Sequence, residues 1–273
     1  MKISCVCPTH GRFDLLRASL AFFLSQTWLD SELLILNDAP VPIECDHPRV
    51  KVMNETGFDT LGDKYVRLAA ETSGDMIAHW EDDDVYCPWH LSELARNANA
   101  APDMYGFHPK LTWCMIWENG LWKLGGRSGR RCEGGLAYRV GRWPGYDKAH
   151  AAHSVRAIET LENEDKYLRY ECCPTESYVF CRKNPGIRQG SGLDRSKRGK
   201  AVFDESNTNF GNGEPLTPRH DNRLCLFAFQ SLAKLKGTEL DRLTRRMGCS
   251  ALWMPTGPGT GSGCPAQETG GPS

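Results

Sequence analysis

The sequence carries almost no net charge, has no long apolar run and lacks cysteine pairs at metal-binding spacing. Its 33 basic and 34 acidic side chains leave a formal charge of -1 over 273 residues. That balance argues against a protein that coats nucleic acid or an acidic membrane along its whole surface. No stretch approaches the ~18 to 20 consecutive apolar residues that span a bilayer. We therefore expect a globular chain whose partners bind at a local site.

The sequence is rich in cysteine, with twelve residues. Disulfide frameworks suit small secreted chains, whereas this chain is large and opens directly on a strand-like run at residues 2–7. No charged and apolar leader precedes that run, so we expect no signal peptide and a cytoplasmic location. Neither the pair Cys5 and Cys7 nor the pair Cys172 and Cys173 has the CxxC spacing of a structural zinc site. These patterns indicate reduced thiols that pack as small apolar groups.

The first hundred residues alternate between strand and helix patterns. Short apolar runs at residues 3–7, 32–36, 50–53 and 76–80 predict strands, and apolar side chains at helical spacing between them predict helices. Strands separated by helices are typical of a mostly parallel sheet with helices on both faces. The sequence therefore predicts an α/β domain in this half of the chain.

The rest of the chain divides into three further segments. Residues 101–221 combine strand patterns rich in Trp and Tyr with a long loop, and predict a small mixed region. Residues 222–254 predict C-terminal helices by their apolar spacing. Residues 255–273 are a Gly/Pro/Ser/Thr tract typical of a disordered tail.

Four consecutive carboxylates, residues 81–84, follow the strand predicted at 76–80. In an open parallel sheet, ligands bind beyond the carboxyl ends of the strands. Like charges this close repel, and burial raises their pKa values, unless a cation lies among them. Mg²⁺ or Mn²⁺ prefers oxygen ligands and would also stabilise a departing diphosphate. The alternative is a solvated acidic turn, but the preceding strand and the aromatic neighbours favour a site.

Three motifs occur in order at the ends of the predicted strands: CPTHGR at residues 7–12, LLILND at 33–38 and GDMIAHWEDDD at 74–84. Together they resemble the donor half of family 2 glycosyltransferases, which have the Rossmann-like GT-A fold. The resemblance is good over residues 1–100 and loose over 130–190. It implies inverting, Mn²⁺- or Mg²⁺-dependent transfer of a sugar from a nucleotide-sugar, expected to be a UDP-sugar, to a hydroxyl. The acceptor stays open among a saccharide, a protein and a hydroxylated DNA base.

The resemblance also implies roles for single residues. The side chains expected to bind the donor are Thr9, Arg12, Asp38, Lys64, Arg67 and Asp82. The side chains expected to hold the metal are Glu81, Asp83 and Asp84, with Glu81 a departure from the commoner aspartate. For the two basic residues at 64 and 67, the alternative is a solvated helix face.

An inverting transfer needs a carboxylate that takes the proton from the acceptor hydroxyl. The family usually supplies it from an ED pair after a glycine-rich strand, which residues 134–139 resemble. The only later ED pair is Glu164-Asp165, further downstream than the family pattern, and its alternative interpretation is a solvated helix end. The other candidates are Asp147, His150 and His153.

Residues 182–200 hold seven Lys or Arg against one Asp. With the glycines around Arg188, this segment suits a lid over the diphosphate, since Arg clamps phosphate oxygens well. It equally suits a contact for a nucleic-acid acceptor or a solvated loop. Two other functions stay open for the whole chain. One is a nucleotidyltransferase, which also uses metal-bound carboxylates on an α/β sheet, and the other is a non-catalytic module that binds a nucleotide-sugar.

Overall fold

The computed structural model describes residues 1–118, 121–129, 132–148, 153–172 and 177–182. The candidate residues His150 and Arg188 lie outside these described residues, as do the segments predicted at 222–254 and 255–273.

The described chain alternates strands and short helices. The helices are α1 (Phe13–Leu24), α2 (Leu61–Ala69), α3 (His90–Ala100) and α4 (Val155–Asn163), with a 3-10 turn at Glu133–Gly135. The strands of the first hundred residues are β1 (Ile3–Thr9), β2 (Ser31–Asn37), β3 (Val50–Asn54), β4 (Met76–His79) and β5 (Val85–Tyr86). The later strands are β6 (Gly106–Pro109), β7 (Thr112–Glu118), β8 (Leu121–Ser128), β9 (Ala137–Arg139), β10 (Tyr167–Tyr170) and β11 (Tyr178–Arg182).

A seven-stranded sheet in the order β10-β6-β9-β4-β1-β2-β3 forms the body of the fold. Strand β9 runs antiparallel to both of its neighbours, β4 and β6. All the other strands of this sheet share one direction. The predicted α/β class with a mostly parallel sheet is therefore confirmed.

Helices cover both faces of the sheet because β1 and its neighbours are apolar on both sides. Side chains at odd positions of β1, such as Ile3 and Cys5, point to one face of the sheet and pack in the cluster that contains the apolar faces of α1 and α3. Val6 and Leu34 join the opposite cluster, which contains Tyr65 of α2. Burial raises the pKa of the Cys5 thiol, so this cysteine packs in the core as a small neutral group.

Helix α2 begins with a capping box that fixes its orientation at the end of β3. Thr60 Oγ1 accepts a hydrogen bond from the backbone N–H of Asp63, and an Asp63 carboxylate oxygen accepts one from the N–H of Thr60. Such reciprocal bonds satisfy two of the unpaired N–H groups at a helix start. The helix then buries Lys64 and Tyr65 toward the sheet.

A second, four-stranded sheet has the order β5-β11-β7-β8. It is mixed, since β11 pairs parallel with β7 and antiparallel with β5, and β7 pairs antiparallel with β8. The short strand β5 follows β4 after only five residues, so the chain passes from the first sheet to the second through the acidic cluster. Across the described ranges, no helix is long and apolar enough to cross a bilayer.

Candidate functional site

The carboxyl ends of β1, β2 and β4 meet at one edge of the first sheet because these strands are parallel. The backbone N–H of Asp38, just after β2, donates to the Thr9 carbonyl across 3.3 Å. Thr9 Oγ1, at the end of β1, donates to Asp82 Oδ2 across 2.6 Å. The structure therefore brings together three of the residues expected to bind the donor, one from each of the three motifs.

Arg12 joins the acidic cluster to the start of α1. Its Nε donates to Asp82 Oδ2 across 3.0 Å, and its Nη1 donates to Asp83 Oδ2 across 2.6 Å. The Asp82 side chain is fully buried and that of Asp83 is 16% exposed. The cluster is thus part of a packed site and is not an acidic turn in open water.

Burial and Arg12 act in opposite directions on the pKa values of the clustered carboxylates. Burial raises the pKa of Asp82 to about 6, although Arg12 acts to lower it. Burial and the nearby Asp83 charge raise the pKa of Glu81 to about 8. Burial disfavours the charge on Arg12 itself, but Asp82 and Asp83 outweigh this and raise its pKa. A divalent cation with a preference for oxygen ligands would reduce the repulsion among these carboxylates, so the oxygen donors present suit Mn²⁺ or Mg²⁺.

The outer members of the cluster contact different neighbours. Tyr65 Oη donates to Glu81 Oε1 across 2.7 Å, on the α2 side of the sheet. The Tyr178 hydroxyl donates to Asp84 Oδ2, on the side of the second sheet. Among the described residues, Arg12 thus contacts the central two carboxylates and tyrosine hydroxyls contact the outer two.

Asp38 forms a buried ion pair with Lys64, whose side chain is only 2% exposed. The second Asp38 oxygen lies 2.8 Å from His10 Nδ1. Lys64 therefore does not lie on a solvated helix face. Arg67, by contrast, lies at the partly exposed surface and donates to both oxygens of Glu55 across 2.9 and 2.8 Å. Its role in donor binding stays a prediction.

Glu164 and Asp165 occupy the turn between α4 and β10. Asp165 has φ 55°, and its N–H donates to the Glu162 carbonyl across 3.1 Å. Because β10 is parallel to β4, the residues before β10 lie at the amino edge of the sheet, opposite residues 81–84. The structure does not bring this pair together with the acidic cluster, and its role as base stays a prediction.

Three residues that the sequence did not single out as a group lie at the carboxyl edge, on the α2 face of the sheet. His79 is the last residue of β4, Glu133 precedes the antiparallel β9, and His153 precedes α4. Burial lowers the pKa of His79 and of His153, the latter to about 4, and raises that of Glu133. The sequence feature that could have drawn attention to this group is the position of Glu133 directly before the paired glycines 134 and 135.

Asp147, the first alternative for the base, lies between α2 and the segment before α4. Its backbone N–H donates to the His153 carbonyl across 2.7 Å. Its own carbonyl oxygen lies 2.1 Å from the position that a Cβ on Gly62 would take, so only glycine fits at that point of α2. Its side chain is 31% exposed and lies 3.5 Å from Arg156 Nη1.

Comparison with known proteins adds one curated relative. No family model matches the chain. The uncharacterized glycosyltransferase YwdF of Bacillus subtilis (strain 168) is 32% identical over 106 residues, which cover 37% of this chain and 40% of that protein. The match thus spans well under half of the relative's length. It confirms the resemblance to glycosyltransferases, while membership of family 2 stays a prediction.

Solved glycosyltransferase structures show a weaker similarity. The mannosyltransferase PcManGT from Pyrobaculum calidifontis, in complex with GDP-Man and Mn²⁺, is 12% identical with a TM-score of 0.49, over 68% of this chain and 57% of that one. Residues 1–349 of S. aureus TarS, in complex with UDP-GlcNAc, are 12% identical with a TM-score of 0.48, over 90% of this chain and 71% of that one.

Proposed function

We propose that this chain is a glycosyltransferase that moves a sugar from a nucleotide-sugar donor to a hydroxyl acceptor. The observation that carries the proposal is the largely buried network of Thr9, Arg12, Asp82 and Asp83 at the carboxyl edge of a mostly parallel sheet. Open α/β sheets bind ligands at this edge, and the chain is similar to a curated glycosyltransferase.

Residues 1–100 form the donor half in this proposal, and residues 101–221 form the acceptor-side half. Asp38 accepts a hydrogen bond from the nucleoside, and its buried partner Lys64 holds the carboxylate in place. Asp82 is held in place by Thr9 and Arg12 and is our candidate for the ribose contact. The donor we expect is a UDP-sugar.

Asp83, with Glu81 and Asp84 as further candidates, would hold Mn²⁺ or Mg²⁺. When bound, the ion offsets the charge of the donor diphosphate as it departs. Arg12 lies beside the same carboxylates and orients Asp83 through its Nη1 donor. The Asp83 side chain is 16% exposed and that of Asp82 is fully buried, so Asp83 is the more accessible of the two in this structure.

The transfer forms one bond to the anomeric carbon, breaks another, and moves one proton. The acceptor oxygen attacks the anomeric carbon, the bond from that carbon to the diphosphate oxygen breaks, and the acceptor proton passes to a carboxylate. We propose Asp147 for that carboxylate in preference to Glu164 or Asp165. Its contact with Gly62 keeps it beside the first turn of α2, which follows the carboxyl end of β3, whereas the ED pair precedes β10.

The experiment is a screen of sugar nucleotides against the full chain with Mn²⁺, Mg²⁺ or EDTA. A bound donor raises the melting temperature by mass action, and turnover releases a nucleoside diphosphate. We expect both signals only with the metal, and loss of turnover in Asp83→Ala. Asp103→Ala serves as a control because Asp103 is exposed.

Two outcomes would replace the proposal with an alternative. Release of pyrophosphate would identify a nucleotidyltransferase. Donor binding without release of diphosphate, in the presence of saccharide, protein and DNA acceptors, would identify a non-catalytic module.

A further inference from the structure

We propose that His79, Glu133 and His153 form a second cation site, specific for a first-row transition-metal ion, on the α2 side of the acidic cluster. The inference does not depend on glycosyl transfer, because it concerns residues that the proposed reaction does not use.

The three side chains converge on one point. Glu133 Oε2 lies 3.8 Å from His79 Nδ1 and 3.7 Å from His153 Nε2, and one ligand atom from each residue lies within 4.8 Å of the others. Ligands about 2.1 Å from a tetrahedral ion are roughly 3.4 Å apart. To close the triad around an ion, the two glutamate contacts would shorten by a few tenths of an ångström and the histidine pair by at most about 1.4 Å.

Three of the four imidazole nitrogens of the triad are buried without a hydrogen-bond partner in the part of the chain that the structure describes. This holds for His79 Nδ1 and for both ring nitrogens of His153, and the two residues are 0% and 1% exposed. Buried polar atoms are almost always satisfied, because an unpaired one costs about 1–3 kcal/mol. An ion would satisfy His79 Nδ1 and His153 Nε2 at once.

The surrounding residues already hold the ligands in position. His79 Nε2 lies 2.8 Å from the Tyr146 hydroxyl, which lies 2.6 Å from that of Tyr138. An outer partner of this kind fixes the ring orientation and the tautomer of a metal-binding histidine. The Ser154 hydroxyl donates to Glu133 Oε2. The Tyr65 ring stacks on both imidazoles, with centroids 4.2 Å and 4.6 Å away.

The donor set selects the class of ion. Two imidazoles and one carboxylate suit Zn²⁺, Co²⁺ or Fe²⁺ better than Mg²⁺, which prefers oxygen ligands. Three protein ligands leave at least one coordination position for water or another molecule. The Glu133 side chain is 28% exposed, so an ion can enter from that side. The acidic cluster, with its oxygen ligands, would not share this preference.

Co²⁺ titration of the reduced, metal-free full chain tests the site, because the visible spectrum of Co²⁺ reports its ligands. We expect one ion bound through nitrogen and oxygen, without a thiolate charge-transfer band, and displaced by Zn²⁺ but not by Mg²⁺. Glu133→Gln should weaken Co²⁺ binding by roughly tenfold or more, because it removes an anionic ligand. Glu171→Gln is the matched control, since the Glu171 side chain is 79% exposed.

Two further variants distinguish this site from the acidic cluster as the place where Co²⁺ binds. His153→Gln should lose the same equivalent of Co²⁺ as Glu133→Gln, whereas Asp83→Asn should keep it. Unchanged Co²⁺ binding in both triad variants, or a thiolate band in the spectrum of the wild type, would overturn the proposal. So would loss of the ion in Asp83→Asn, since the ion would then belong to the acidic cluster. Circular dichroism of each variant checks that its fold is retained.

Discussion

Breaking the buried ion pair between Asp38 and Lys64 should destabilise the whole sheet. Lys64 Nζ contacts Asp38 Oδ2, and the two side chains are 2% and 7% exposed. Asp38→Asn keeps the shape of the side chain but leaves the Lys64 ammonium buried without its anion. Removing one partner of a buried pair typically costs about 3–5 kcal/mol, whereas replacing both with neutral groups is often close to neutral.

The lower end of that range applies here, because Asp38 also contacts His10, which is partly exposed. We therefore expect Asp38→Asn to lower the free energy of unfolding by about 3 kcal/mol. For a domain of 150–250 residues, each kcal/mol lowers the melting temperature by roughly 2–4 °C. The expected loss is then roughly 6–12 °C.

Urea denaturation followed by circular dichroism, with wild type, Asp38→Asn, Lys64→Met and the double variant, measures the coupling between the two residues. The double variant should recover most of the stability lost in Asp38→Asn, yet it should not recover donor binding. Glu171→Gln, in an exposed pair with Lys110, should cost under about 1 kcal/mol. A double variant that loses the sum of the two single losses would refute the reasoning.

Three further predictions concern the site. Asp83→Ala should abolish metal-dependent cleavage of the donor while the far-UV spectrum stays unchanged, and wild-type transfer by this variant would exclude the metal role. Asp147→Asn should lower kcat by roughly a hundredfold or more with little change in donor affinity, whereas Asp165→Asn should leave kcat unchanged; the reverse pattern in steady-state kinetics would return the base to the ED pair. Gly134→Ala should cost about 1–3 kcal/mol by denaturant titration, because its Cβ would lie 2.6 and 2.7 Å from two tyrosine hydroxyls. Gly129→Ala, whose nearest contact would be 3.9 Å, should change little.

The sheet of the first hundred residues could be predicted because its strands are short apolar runs separated by helical spacing. The meeting of Thr9, Asp38 and Asp82 follows from that prediction alone, since parallel strands end at the same edge. The position of Glu133 could not be predicted in this way, because it depends on the direction in which β9 runs. Periodicity does not reveal that β9 runs antiparallel, so nothing in the pattern placed Glu133 at the same edge as the acidic cluster.

The position of the ED pair in the sheet also depends on strand direction, which the sequence pattern does not give. Glu164 and Asp165 match the family pattern by residue type, but their position is decided by whether they precede or follow a strand. They precede β10, whose pairing with β6 is parallel, so they lie at the far edge of the sheet. A helix of nine residues, α4, separates them from His153 at the near edge.

The four adjacent carboxylates can coexist because the fold gives them different partners. Arg12 contacts Asp82 and Asp83, while tyrosine hydroxyls donate to Glu81 and Asp84. Repulsion is reduced in this way without any ion, which explains how the sequence tolerates the cluster in a buried setting. Asp82 and Asp84 are buried, at 1% and 3% exposure, so the partly exposed Asp83 offers the more accessible approach for a cation. The metal hypothesis therefore depends on residue 83 more than on the length of the acidic run.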